Sequence, residues 1–165
     1  MRASTRTIAA LGMAVVATLA GSANAGSTDK ATGGGQILLS SDGRGPGDTI
    51  TFSAQRRADG SVVGNVNLID RTDNTGKGGV HFRGDVICID VEGNQAILSG
   101  VGEYKDGTTT AYTLIVQDNG EGAAADNDLI TFTKVDDPSC DREDGDDDAA
   151  VELARGNAQV TDGIS

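Results

Sequence analysis

Short runs of alternating apolar and polar residues recur between Gln36 and Val160, and turn-forming residues separate them. The clearest run is 49–55, in which Ile50 and Phe52 share one face and threonine and serine occupy the other. A two-residue period is typical of a β-strand with one buried side. We therefore predict strands at 36–39, 49–55, 62–69, 80–91, 96–104, 110–117, 129–134 and 157–160.

Three dipeptides between neighbouring runs predict tight hairpin turns: Asp59-Gly60, Gly93-Asn94 and Asp106-Gly107. The first suits a type I′ turn, which needs positive φ at both residues, and the second has glycine first, as a type II′ turn requires. The first and last runs both place Gln beside a β-branched residue shortly after glycine, so we predict that they pair and leave no free edge. The predicted fold class is all-β, a single antiparallel closed barrel or sandwich of about eight strands.

The run 80–91 changes phase along its length. Its inward set is Val80 and Phe82 in the first half, then Ile87, Ile89 and Val91 in the second. One extra residue near Gly84 reconciles the halves, as a β-bulge does. With this bulge Cys88 points outward, where a loop carrying Cys140 can lie over it, whereas without it Cys88 faces the core. We favour the bulge.

Residues 148–156 fit two structures. Acidic residues at the start, Arg155 in the last turn and Gly156 after it are typical of a short helix. The alternation of Val151 and Leu153 equally fits an irregular strand. We predict the helix, placed before the last strand.

Residues 1–25 have the features of an export signal. Arg2 and Arg6 supply positive charge, an apolar run follows, and Ala23-Asn24-Ala25 is a small-residue cleavage site. The apolar run is shorter than the roughly 20 residues that cross a bilayer. We therefore predict a cleaved signal peptide, a secreted, extracellular protein with no membrane segment, and one domain over 26–165.

The predicted mature chain is strongly acidic. Two of its 13 Lys and Arg residues lie in the signal, which leaves 11 basic against 25 acidic residues and a net charge of −14. A surface this acidic repels phosphate groups, so nucleic acid and anionic membrane surfaces are excluded as partners. The chain has two Tyr, three Phe and no Trp, which leaves little material for stacking bases or sugars.

The chain has two cysteines, Cys88 and Cys140, and an even number in an exported protein predicts a disulfide. Two free thiols are the alternative. In the chain-entropy model, closing a loop of this length stabilises the fold by about 4 kcal/mol. The bond would fasten the acidic loop 136–148 to the domain.

Several segments resemble a group of exported bacterial β-domains, the post-COAP domain family. They are Gly33-Gly34-Gly35-Gln36-Ile37, Val80-His81-Phe82-Arg83-Gly84, 91–100, Asp118-Asn119-Gly120-Glu121 and 156–160. The resemblance implies an eight-stranded barrel or sandwich. It implies no activity, because its motifs are turn and strand signatures. The acidic tract that begins at Asp136 departs from the family pattern.

One loop holds candidate metal ligands: Asp118, Glu121, Asp126 and Asp128. Calcium takes six to eight oxygen ligands, and these carboxylates could converge if the loop folds back at its glycines. The tract 141–148 could do likewise. Neither matches an EF-hand, and a solvated acidic loop that confers solubility is the better-supported interpretation. We expect no cofactor, with calcium as the alternative.

No motif predicts catalysis. His81 is the single histidine, and neither a Gly-x-Ser-x-Gly elbow nor a His-Glu-x-x-His helix is present. We expect a secreted, non-catalytic binding or structural module, monomeric, whose partner is an extracellular protein, cell-wall material or a small molecule. The alternative is a carrier that holds a small hydrophobic ligand inside the barrel. A hydrolase built on the plentiful carboxylates ranks third.

Overall fold

A computed structural model describes residues 28–37, 48–69, 81–121, 126–141 and 150–163. The predicted signal peptide and residues 142–148 of the acidic tract lie outside these ranges. The described chain forms eight strands in one closed barrel. They are β1 (Lys30–Ile37), β2 (Asp48–Arg56), β3 (Val62–Ile69), β4 (His81–Glu92), β5 (Gln95–Tyr104), β6 (Thr109–Gln117), β7 (Leu129–Val135) and β8 (Val151–Thr161).

Each strand pairs antiparallel with the next, and β8 returns to pair with β1, so the fold is an up-and-down barrel. The predicted all-β closed barrel of about eight strands is therefore confirmed. The predicted pairing of the chain's first and last strands is also correct, with Gly35 opposite Gly156. Closure of this kind leaves no edge strand to recruit another chain.

The hairpin turns form where the dipeptides predict them, with positive φ at Gly60, Gly93 and Gly107. The type I′ assignment at Asp59-Gly60 is wrong, because no non-glycine residue in the described ranges has positive φ. Instead, the Asp59 carboxylate accepts hydrogen bonds from the backbone and hydroxyl of Ser61. These bonds lower the pKa of Asp59, because they favour its charged form.

The bulge in β4 lies at Ile87 and not near Gly84. The register against β5 shifts between Val86 and Cys88, so Ile87 is the extra residue and its side chain points to solvent. Gly84 stays in the regular ladder, and the Tyr112 ring occupies the space that a Cβ would take there. The prediction that Ile87 faces inward is therefore wrong. The consequence predicted from the bulge holds, since Cys88 points outward and bonds to Cys140.

The predicted helix at 148–156 is also wrong. Residues from Val151 onward form strand β8, which pairs with β1 from Leu153 to Thr161. A helix at this position would leave part of the second edge of β1 without hydrogen-bond partners. This long-range requirement outweighs the local helix signals.

Aromatic rings fill one half of the barrel interior. Phe82 lies 5.1 to 5.3 Å, centroid to centroid, from the rings of Tyr104, Tyr112 and Phe132. Gly102 on the facing strand leaves room for the Phe82 ring, as Gly84 does for Tyr112. The rest of the core is mostly aliphatic, with Ile50, Leu98 and Ile130 among its largest side chains, and it includes the ring of Phe52. The barrel strands thus contain many small residues, and larger side chains from neighbouring strands fill the space that these residues leave.

The Tyr112 hydroxyl is buried and has no hydrogen-bond partner among the described residues. Burial, with a smaller contribution from the charge of Asp85, raises the pKa of this phenol above its ordinary value. Replacing an unsatisfied hydroxyl by hydrogen removes a desolvation cost. We expect Tyr112→Phe to leave the free energy of unfolding unchanged or to raise it by up to about 1 kcal/mol. Urea unfolding measures this change, and a clear loss of stability would mean that the hydroxyl has a partner.

Candidate functional site

The ladder between β7 and β8 is short. It has two residue pairs, Leu129 with Glu152 and Ile130 with Val151. The backbone N–H of Leu153 still donates to the carbonyl oxygen of Asp128, at 2.9 Å. Beyond this point β8 continues along β1, and its other edge faces the loop between β6 and β7.

Two carboxylates of that loop take the place of a neighbouring strand. The backbone N–H of Ala158 donates to Oδ2 of Asp128 at 2.6 Å, and that of Val160 donates to Oδ2 of Asp118 at 3.1 Å. Ala158 and Val160 alternate along β8, which is the spacing of donors on one edge of a strand. The loop therefore supplies side-chain oxygens to the backbone N–H groups of β8 in the region that β7 does not reach.

The second oxygen of each carboxylate holds the loop itself in place. The N–H of Gly120 donates to Oδ1 of Asp118, and the N–H of Asn119 donates to Oδ1 of Asp128, both at 2.9 Å. Each of these carboxylates is thus bonded to backbone donors through both of its oxygens. A cation at either carboxylate would have to share or displace these donors.

The structure brings three of the four predicted metal ligands to one polar recess of about 190 Å³, lined by Glu121, Asp126 and Asp128, among others. Asp118 does not line it. Glu121 accepts hydrogen bonds from the side-chain amides of Asn157 and Gln159, and Asp126 is exposed. Within the described ranges, no group of three or more His, Cys, Asp or Glu side chains is arranged to hold a metal ion. Calcium binding stays a prediction.

A different surface stands out on the outer face of β3, β4 and β5. We call it the exposed wall, and it comprises the outward residues Val63, Asn65, Asn67, Ile69, His81, Arg83, Asp85, Ile87, Val101 and Glu103. Every large hydrophobic side chain that is exposed in the described part of the chain lies on it: Ile87 (55 %), Val101 (47 %) and Val63 (44 %). The bulge aims Ile87 outward, and bulges commonly re-aim side chains next to functional sites.

The register places these three apolar residues around one charged residue. Asp85 lies opposite Val101 on β5 and opposite Asn65 on β3. Ile87 follows Asp85 by two positions on β4, and Val63 precedes Asn65 by two on β3, so both lie on the same side of Asp85. The apolar side chains therefore form one group on the wall.

At the end of the barrel where β3 ends and β4 begins, the wall forms a groove of about 770 Å³. Arg83, His81 and Lys105 line it together with Asp85 and Glu103. Arg56 pairs with Asp29 on another part of the barrel. Arg83 lies opposite Glu103 and two positions from Asp85, and none of these three side chains has a hydrogen bond or ion pair with another described residue, in contrast to the carboxylates of the β6–β7 loop.

Sequence reasoning missed this wall, although a signal for it exists. Val63 and Val101 occupy positions that alternate with inward residues, and a group of apolar residues at outward positions is typical of an interaction surface. His81, considered above for catalysis, is an exposed wall residue opposite Ile69.

Compared with known proteins, the chain matches no family model, no curated protein and no solved structure. The resemblance to the post-COAP domain family therefore stays a prediction. In the described part of the chain, no helix is long and apolar enough to cross a membrane.

Proposed function

We propose that this protein is a non-catalytic binding module that acts outside the cell and docks a partner protein on the exposed wall. The observation that carries the proposal is the gathering of Val63, Ile87 and Val101 on one wall, beside the charged side chains that line its groove. Apolar side chains surrounded by polar ones are the usual composition of a protein interface. A disulfide is typical of secreted proteins, which supports the proposed location.

The chemistry of the wall suggests what the partner presents. Arg83, Lys105 and His81 line the groove beside Asp85 and Glu103, so the groove is close to neutral on a protein that is acidic as a whole. Glu103 lies opposite Arg83, but no ion pair joins Arg83 to a described residue, and a carboxylate on the partner could bind its guanidinium through a charge-assisted bond that can be bidentate. Val101 lies opposite Asp85 and lines the groove, and Val63 and Ile87 lie beyond Asp85, away from the groove. We therefore propose that the bound segment carries an acidic residue close to an apolar one.

A carrier that holds its ligand inside the barrel is less well supported. Five aromatic rings and the aliphatic core occupy the interior of the described barrel. A ligand would have to displace side chains of this core, and protein interiors are close-packed. The outer groove demands no such rearrangement.

The test is retention of a partner by the immobilised protein from the extracellular and envelope fractions of the source organism. We expect the double variant Ile87→Ser/Val101→Ser to weaken retention by about tenfold or more, because each lost apolar contact at an interface is worth about 1 kcal/mol or more. The matched control, Ala154→Ser/Thr161→Ser, changes exposed residues of β8, which pairs with none of the strands of the wall, and it should retain the partner as the native protein does. Equal retention by both variants would contradict docking on the wall.

A further inference from the structure

Three residues that point outward from the barrel are nevertheless buried: Ile97 (7 % exposed), Ser99 (0 %) and Thr131 (9 %). Their direction follows from the register, because Ile97 and Ser99 alternate with the inward residues Ala96 and Leu98 on β5. Outward residues of a barrel are exposed unless another part of the chain covers them. A segment therefore lies over the outer face of β5 to β7.

The described segment that reaches this face is 136–141, which follows β7 and which we call the strap. Cys140 of the strap is bonded to Cys88 on β4, and its Sγ lies 3.6 Å from the carbonyl oxygen of Ile97. The side-chain hydrogen bonds of the strap are internal, between Ser139 and Asp141. Among the described residues, the disulfide is thus the one strong side-chain interaction between the strap and the barrel.

The covered face adjoins the exposed wall. Cys88 follows Ile87 directly and lies opposite Ser99, and Ser99 precedes Val101 by two positions on the same strand. No strand separates the two surfaces, since both include β5. Removing the strap would extend the apolar surface of the wall from Val101 to Ile97.

We propose that the Cys88–Cys140 bond is a reducible cross-link. Its reduction releases the strap from the outer face of the barrel and enlarges the binding surface. The reductant is a dithiol. One of its thiolates attacks a sulfur of the bond, giving a mixed disulfide and one protein thiolate. Its second thiol then displaces the other cysteine. Two electrons and two protons pass to the protein, which leaves two cysteine thiols and an oxidised dithiol.

The release is a property of the fold, whereas its effect on binding rests on the proposed function. The dye 8-anilinonaphthalene-1-sulfonate measures the release alone, because its fluorescence rises on newly exposed apolar surface. We expect a several-fold rise when dithiothreitol reduces the native protein, with an unchanged far-ultraviolet circular dichroism spectrum. Alkylation of both thiols, read by mass spectrometry, verifies the reduction. Cys88→Ser/Cys140→Ser should show the higher fluorescence without any reductant.

Two further variants assign the new surface. Ile97→Ser should suppress the rise on reduction, because it removes the apolar side chain beneath the strap. Val63→Ser, on the part of the wall that the strap does not reach, should leave the rise intact. Unchanged fluorescence in a protein with both thiols alkylated would overturn the proposal, and so would loss of the β spectrum on reduction, which would make the bond a structural staple of the whole barrel.

Binding is then compared between the oxidised and reduced proteins. Stronger retention of the partner by the reduced protein is the expected result, and equal retention by both forms would overturn the regulatory role. If neither form retains a partner, the proposed function fails, while the dye still reports on strap release.

Discussion

Replacing both cysteines, as Cys88→Ser/Cys140→Ser, is expected to lower the free energy of unfolding by about 4 kcal/mol. The bond joins residues 52 positions apart, and a loop of this length restricts the unfolded chain strongly. Urea unfolding followed by circular dichroism gives the value, from a shift in midpoint at constant slope. The barrel should stay folded at 25 °C, because its hydrogen-bonded ladder closes without the strap.

Two controls separate the bond from the substitution. The native protein, unfolded in the presence of dithiothreitol, should match the double variant, because both lack the same cross-link. Ser139→Ala alters the strap beside Cys140 but leaves the bond intact, and it should have a small effect. A double variant within about 1 kcal/mol of the native protein would show that the unfolded chain gains little freedom when the bond is removed.

The sequence predicted the elements that depend on short-range patterns. Alternation placed the strands from 49 to 134, and glycine marked the three hairpin turns, because both effects are decided by a residue and its close neighbours. The phase change along β4 predicted a bulge and hence an outward Cys88, and the disulfide confirms that side chain's direction.

Elements that depend on distant partners were predicted less well. The helix signals around Arg155 are real in local terms, but β1 requires a partner for its second edge and takes this segment as a strand. The position of the bulge was missed for a similar reason. Gly84 leaves room for the ring of Tyr112, a residue of β6 that the pattern within β4 does not reveal.

The acidic loop shows why composition predicts chemistry poorly here. A carboxylate oxygen accepts from a backbone N–H as well as it binds a cation, and the sequence does not distinguish the two uses. The structure shows that Asp118 and Asp128 accept from the backbone of β8, where the neighbouring strand ends early. Part of the chain's high acidity is therefore structural, whereas Asp85 and Glu103 on the exposed wall accept no hydrogen bond from a backbone N–H of the described residues.

Asp128 is the most important of the loop residues that accept hydrogen bonds from β8 in place of a neighbouring strand. We expect Asp128→Ala to lower the free energy of unfolding by about 3 kcal/mol. The substitution removes two charge-assisted hydrogen bonds, each worth roughly 1.5 to 3 kcal/mol, and leaves the N–H groups of Asn119 and Ala158 without an acceptor. Asp128→Asn should lose about half as much, because its amide keeps one acceptor oxygen and turns a donor toward the other N–H. Urea unfolding measures both variants.

Asp126→Ala is the matched control, because it removes the same group from an exposed position two residues away in the same loop. Its effect should stay within about 0.5 kcal/mol, as for most surface substitutions. Amide hydrogen exchange locates the damage: in Asp128→Ala, protection should fall first at Ala158, on the side of β8 that faces the loop, and less in the ladder between β4 and β5. Equal losses from Asp126→Ala and Asp128→Ala would contradict the role of Asp128 in closing the barrel, since exposed acidity alone would then explain both.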